Sequence, residues 1–191
     1  IQKWSPEGRL LAITKTPAIA QGKPTGLGID PEGNLLVADT HYCRVLTYSA
    51  ELEFLGCYGS PGPEAGQFML ITCVRQGEGG LHYITDYGDL IARVQVLKSD
   101  GTPVRTFGTF GDGPDQFDRP MALCVDDARD RLYVADAVNH RISVFTREGK
   151  HLTAFGESGK APGQLQYPYD VKLDSDGRVW VAEFGNQRVS V

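Results

Sequence analysis

An acidic residue and an arginine recur four times in one setting along this chain: Val37-Ala38-Asp39 before Arg44, Ile84-Thr85-Asp86 before Arg93, Val134-Ala135-Asp136 before Arg141, and Val181-Ala182-Glu183 before Arg188. The arginines stand 49, 48 and 47 residues apart. A near-constant period of this length marks a repeat array. It also sets how the charges are read. A catalytic group is needed once, whereas a pair supplied in every repeat builds the repeat. Asp39, Arg44, Asp86, Arg93, Asp136, Arg141, Glu183 and Arg188 are therefore assigned to the frame, where an arginine fork can bond a carboxylate and nearby carbonyls together.

Within the period the pattern is that of short strands joined by tight turns. The third repeat is the clearest, with strands expected at Met121 to Val125, Arg131 to Ala135, Arg141 to Phe145 and His151 to Phe155. The first and second repeats yield similar sets of four, and the last stops after three. At the N-terminus, Ile1 to Trp4 and Leu10 to Thr14 match the third and fourth strands of a repeat. The approximate units are 1–21 (partial), 22–68, 69–117, 118–165 and 166–191 (partial), all within a single domain spanning 1–191. Sheets of four short antiparallel strands cannot hide both faces alone and must stack on one another. Radial stacking into a β-propeller meets that need, and a linear solenoid, usually built from shorter and mostly parallel coils, fits less well. Glycine-rich connectors each end in Gln-Phe or Gln-Leu (67–68, 116–117, 164–165), and the apolar residue is expected to plug the core between blades.

Composition narrows the function classes. The 191 residues include 23 glycines and 11 prolines, more than a helical protein uses. With 19 Lys and Arg against 24 Asp and Glu, and no basic run, the chain lacks the cationic surface that phosphates require, so nucleic acid is not an expected partner. No apolar stretch is long enough to span a bilayer. Cys43, Cys57, Cys73 and Cys124 have no metal-ligand spacing, and neither metal nor cofactor is expected. Cys43 and Cys57 flank one hairpin, and their pairing is left open. Cys73 and Cys124 read as small buried residues in matching repeat positions. The compartment is left open as well. Asp174-Ser175-Asp176-Gly177 resembles part of a calcium loop but lacks the later acidic ligand; with its counterparts at 30–33 and 126–130 it reads as a hairpin turn. Gly156 to Ala161 has the wrong spacing for a phosphate loop.

The run Tyr133 to Phe145, followed by Gly149 and Phe155-Gly156, strongly resembles an NHL repeat, and the likeness covers nearly the whole chain. It is weakest in the second repeat, where 86–93 lengthens the loop by two residues. The resemblance implies a propeller of four-stranded antiparallel blades, most often six, with the acid and arginine bridging adjacent strands of a blade. Six blades of about 48 residues need roughly 290 residues, and this chain holds about four repeats. It is expected to be part of a larger propeller, completed by further blades or a second chain. The alternative is an unusual closure in which Leu10 to Thr14 supplies the missing outer strand of the last blade.

Function is then sought in the loops between each acid and its arginine, where the repeats disagree. His41, Tyr42, Tyr87, Asp89, Asn139, His140, Phe184 and Asn186 are the candidate binding residues, and no catalytic residue is assigned. The leading expectation is a non-catalytic scaffold that docks a protein partner. The alternative is a metal-assisted lyase or hydrolase of the propeller class, for which His41 and His140 are the available bases or ligands. RNA binding is a third reading, disfavoured by the acidic balance.

Overall fold

The computed structural model describes residues 1–18 and 22–191. The repeat boundary placed at residue 21 and the middle of the first connector fall outside the described residues. Elsewhere the period becomes a series of sheets. Blade I consists of β3 (Pro24–Ile29), β4 (Leu35–Asp39), β5 (Arg44–Tyr48) and β6 (Phe54–Tyr58). Blade II follows the two-residue strands β7 (Ser60–Pro61) and β8 (Gln67–Phe68), and comprises β9 (Leu70–Gln76), β10 (His82–Gly88), β11 (Ile91–Leu97) and β12 (Pro103–Phe107). After β13 (Thr109–Phe110) and β14 (Gln116–Phe117), blade III contains β15 (Pro120–Asp126), β16 (Arg131–Asp136), β17 (Arg141–Phe145) and β18 (His151–Phe155). Blade IV has three strands, β19 (Pro168–Leu173), β20 (Val179–Glu183) and β21 (Arg188–Ser190). Every blade is antiparallel in sequential order, as tight hairpins dictate.

The N-terminal hairpin, β1 (Gln2–Trp4) and β2 (Leu10–Ile13), pairs only with itself and lies against blade I. Closure of blade IV by Leu10 to Thr14 is thus not the arrangement found. Ile1 packs beside the cluster of Val37, Leu46 and Tyr48, so the hairpin acts as the outer half of a sheet preceding blade I.

The core sits between blades. Alternate residues of the middle strands point to opposite faces, and each face meets a neighbouring sheet. Between blades III and IV, Tyr133, Ala135, Ile142 and Val144 pack with Val171, Val181 and Leu165. The connector residues Phe68, Phe117 and Leu165 are buried as plugs. Phe117 lies 5.3 Å from Phe145, ring to ring. Gly108 turns the chain at φ +87°, where a Cβ would stand 2.3 Å from the Phe117 ring; only glycine permits both the turn and the plug. The connector glutamines fold back as brackets: Gln116 Oε1 accepts from the Gly113 N–H, and Gln164 Oε1 from the Ala161 N–H, each at 3.0 Å.

Register corrects one expectation. Cys73 pairs with Thr85, whereas Cys124 pairs with Tyr133, two residues further along the inner strand. The two cysteines therefore do not occupy matching positions; Cys73 is buried and Cys124 only partly so, and Cys43 and Cys57 are free thiols. The Asp174 carboxylate accepts the N–H groups of Asp176 and Arg178, as a turn-forming aspartate does. No helix among the described residues is long and apolar enough to cross a membrane.

Candidate functional site at the channel rim

The frame residues form the last pair between strands two and three in blades I, III and IV, and in blade II two further pairs follow them. Asp39 pairs in register with Arg44, Asp86 with Arg93, Asp136 with Arg141 and Glu183 with Arg188. Each arginine Nε donates to its carboxylate, at 2.9 Å in the first three blades and 2.7 Å in the fourth. The remaining guanidinium nitrogens reach the connector that precedes the blade. Arg141 donates to the carbonyls of Asp112, Gly113 and Gln116 at 2.7–2.8 Å, and Arg188 repeats the pattern on Lys160, Ala161 and Gln164. The carboxylate completes the clamp by accepting from the connector's last N–H groups: Met69 and Leu70 on Asp86, Asp118 on Asp136, and Gln166 on Glu183. The pair thus fixes the connector to the blade as well as one strand to the next.

Burial pushes the Asp136 carboxyl up to about 6 against the pull of Asn139, the Asp118 N–H and Arg141, and it also raises Asp86. In Glu183 burial acts in the same direction, but bonds from Arg188, Ser190, Gln166 and Asn186 outweigh it and leave the group below its ordinary value.

Two of the variable loop residues belong to this clamp. Asn139 Nδ2 donates to Gly111 O and Asp136 Oδ2, and Asn186 Nδ2 donates to Gly159 O and Glu183 Oε2. His140 accepts the Tyr167 N–H on Nδ1 at 3.1 Å, and its ring meets that of Tyr167 edge-on at 4.6 Å. His41 lies exposed in the turn Thr40–Tyr42, and the Arg44 guanidinium stands 4.6 Å over the Tyr42 ring. The longer second loop is a two-residue hairpin turn, Asp89-Leu90, with both residues at positive φ (43° and 67°). It lifts Leu90 into solvent.

The structure brings Tyr87 and Phe184 to a cluster that the loop reading did not assemble. Its other members, Arg119 and Tyr169, come from the entrances to the inner strands. The Arg119 guanidinium lies 5.3 Å over the Tyr87 ring and donates to its hydroxyl at 3.3 Å. Tyr169 stacks on Phe184 at 5.0 Å with the planes 12° apart. Tyr87 with Arg119, and Tyr169 with Phe184, form two pairs that together make a cation and aromatic ridge along the loop ends of blades II to IV. The available signal was the residue just before or after the proline opening the inner strand, which changes between repeats: Arg119-Pro120-Met121 against Tyr167-Pro168-Tyr169.

Through Tyr169 the ridge borders the channel around which the four inner strands stand side by side. This cavity, about 460 Å³, is lined by Thr25, Gly26, Thr72, Cys73, Arg75, Met121, Ala122, Tyr169, Asp170 and Lys172, among others. A Cβ on Gly26 would come within 2.3 Å of Thr72 O, so glycine lets β3 approach β9. Arg75 donates to Leu27 O at 2.6 Å, and Lys172 stands 3.5 Å from Asp170. Among the described residues, no three His, Cys, Asp or Glu side chains converge to hold a metal ion.

Four-stranded sheets placed radially about a channel define the β-propeller class. Solved propellers agree with this arrangement: a nidogen/laminin complex matches with a TM-score of 0.74 at 19% identity, over 98% of this chain and 65% of that one. A streptogramin B lyase structure matches with a TM-score of 0.71 at 18% identity, over 98% and 56%. The family model of the NHL repeat matches residues 117–145 and 165–191. NHL repeat-containing protein 3 of Mus musculus is 36% identical over 156 residues, 80% of this chain and 42% of the relative. The chain belongs to the NHL-repeat family. It spans less than half the length of this curated relative.

Proposed function

We propose that the chain is a non-catalytic docking module whose channel rim receives a segment of a protein partner. The observation that carries this reading is the ridge of Tyr87, Arg119, Tyr169 and Phe184. Arg119 bonds to Tyr87, Tyr169 stacks on Phe184, and Phe184 remains 67% exposed. Aromatic residues and arginine at the centre of a concave rim are what protein interfaces use as anchors. The nidogen/laminin neighbour lends support, as the same fold in a protein complex. A lyase reading draws on fold likeness to the streptogramin B lyase. Against it, His140 is occupied by Tyr167 and belongs to blade III, whereas His41 belongs to blade I. The formal charge of −5 argues against RNA.

The test is selection of a displayed peptide library against the immobilised chain, followed by titration of the enriched peptides. Arg119→Ala and Phe184→Ala should each weaken binding roughly tenfold or more, while Asp176→Ala, on a distant turn, should leave it unchanged. Failure to enrich any peptide, or equal binding by the rim variants, would remove the reading.

A further inference from the structure

Register makes the four inner strands directly comparable, level by level down the channel. Three residues before each frame acid, Leu36, Tyr83, Tyr133 and Trp180 of the second strands stand opposite Gly28, Arg75, Cys124 and Lys172. One level nearer the rim the inner strands carry Gly26, Cys73, Ala122 and Asp170. The first three of these are small, so the deeper level opens upward to the rim. That deeper level holds two cations, Arg75 and Lys172, and both line the 460 Å³ cavity together with Asp170.

Arg75 is anchored without being used up. Its Nη1 donates to Leu27 O at 2.6 Å and to Val74 O at 2.8 Å, while its Nε and Nη2 make no hydrogen bond among the described residues. A guanidinium fixed through one nitrogen presents the other two as a fork of the kind that grips a carboxylate with two parallel bonds. The four frame arginines spend that edge on an acid of their own blade. Arg75 has no such acid among the described residues. A Cβ on Gly28 would stand 2.6 Å from Val74 O and 3.6 Å from Arg75 Nη1, so glycine lets β3 close on the guanidinium. Lys172 is half-exposed, and its Nζ stands 3.5 Å from Asp170, longer than a strong charged bond.

We infer that Arg75 and Lys172 form a carboxylate-binding subsite in the channel, which receives an acid of the docked segment. The inference takes its ligand from the docking reading above. Asp170 offsets one of the two cations, and the single net positive charge that remains suits a monoanion; the second charge of a phosphate would meet Asp170. Tyr169 on the ridge and Lys172 at the deeper level lie three residues apart on β19, roughly 10 Å at the rise of a strand. An extended segment entering over Tyr169 therefore reaches the cations within about three residues. Leu27, Met121 and Ala122 supply an apolar wall for its side chains on the way. The acid is either the segment's terminal carboxylate or an aspartate or glutamate side chain, and the two are distinguished by experiment.

The experiment titrates the full-length protein at low salt with three peptides: acetyl-trialanine, which ends in a free carboxylate, its uncharged amide, and that amide with the middle residue replaced by aspartate. Amide NMR spectra report the binding. At least one acid should bind about tenfold or more tightly than the uncharged amide and shift the signals of residues 73–75 and 170–172. The tighter of the two acids names the source of the carboxylate. Arg75→Gln should remove most of the preference, and Lys172→Gln, which changes only a half-exposed side chain, should reduce it about threefold. No binding of either acid, equal binding of acids and amide, or an unchanged preference in either variant would overturn the inference. These peptides carry no aromatic side chain for the ridge, so the two readings fail separately. Enriched library peptides without a preference for acid remove the carboxylate subsite alone, and acid binding without any enriched peptide removes the docking reading alone.

Discussion

Blades III and IV have almost the same sequence pattern and hydrogen bonds, yet only blade III is covered on both faces. Asp136 and Glu183 occupy one position and hold equivalent arginines, but the first is pushed up to about 6 while the second lies below its ordinary value. Asn139 and Asn186 make the same bond in the two blades, but Glu183 also accepts from Ser190 Oγ, a bond that Asp136 lacks, and it is held beside a face open to water. Local sequence therefore builds the clamp, and the neighbouring blade sets how strongly it is desolvated.

The largest expected difference is at the arginines. Arg141→Ala leaves Asp136 buried and unpaired and strips three connector carbonyls of their donor, a loss of about 3–5 kcal/mol. Arg188, 33% exposed against 16% for Arg141, should cost roughly 2 kcal/mol on the same change. Urea unfolding of the two variants checks the ratio, and equal losses would break the comparison. Next, Ile142→Ala should cost about 2–4 kcal/mol as a core truncation, whereas Val189→Ala should stay within about 0.5 kcal/mol.

A subtler contrast concerns pH. Asp136 has a folded pKa raised from 3.8 to about 6, so its contribution to stability is fully present below 3.8 and is lost as pH rises through about 6. Glu183, whose folded pKa is lowered from 4.5, contributes stability above 4.5 that is lost as pH falls. Asp136→Asn should flatten the decline between about pH 4 and 6, and Glu183→Gln the loss on the acid side; unfolding free energies measured from pH 3 to 8 would separate them. The smallest effect on stability is expected at the rim. Phe184→Ala should change it by under about 0.5 kcal/mol while impairing peptide binding. A large loss of stability there would make the ridge a structural element.

Much of the fold was legible in the chain because strands and turns are local. The strands expected at Arg131 to Ala135, Arg141 to Phe145 and His151 to Phe155 follow from alternation among nearest neighbours and match those found. The Cys73 and Cys124 positions were misread because the apolar runs around them look alike two residues out of step: both inner strands carry the same bulge, and only pairing with the second strand shows that the counterpart of Cys73 is Ala122. The site was legible only in part. Tyr87 and Phe184 could be picked from the variable loops, but Asn139 and Asn186 are spent on the clamp, and Arg119 and Tyr169 arrive from different strand entrances. Which loop residues meet depends on how the blades are angled about the channel, and no local pattern encodes that angle.

The period of acid and arginine by itself determined that this chain forms repeated antiparallel blades, since the same short-range forces act in each copy. Only the tertiary structure decided which apolar faces are satisfied. Val144 and Val191 are the same residue type at the same place in the repeat, and the presence of a neighbouring blade alone makes one a core residue and the other an open surface.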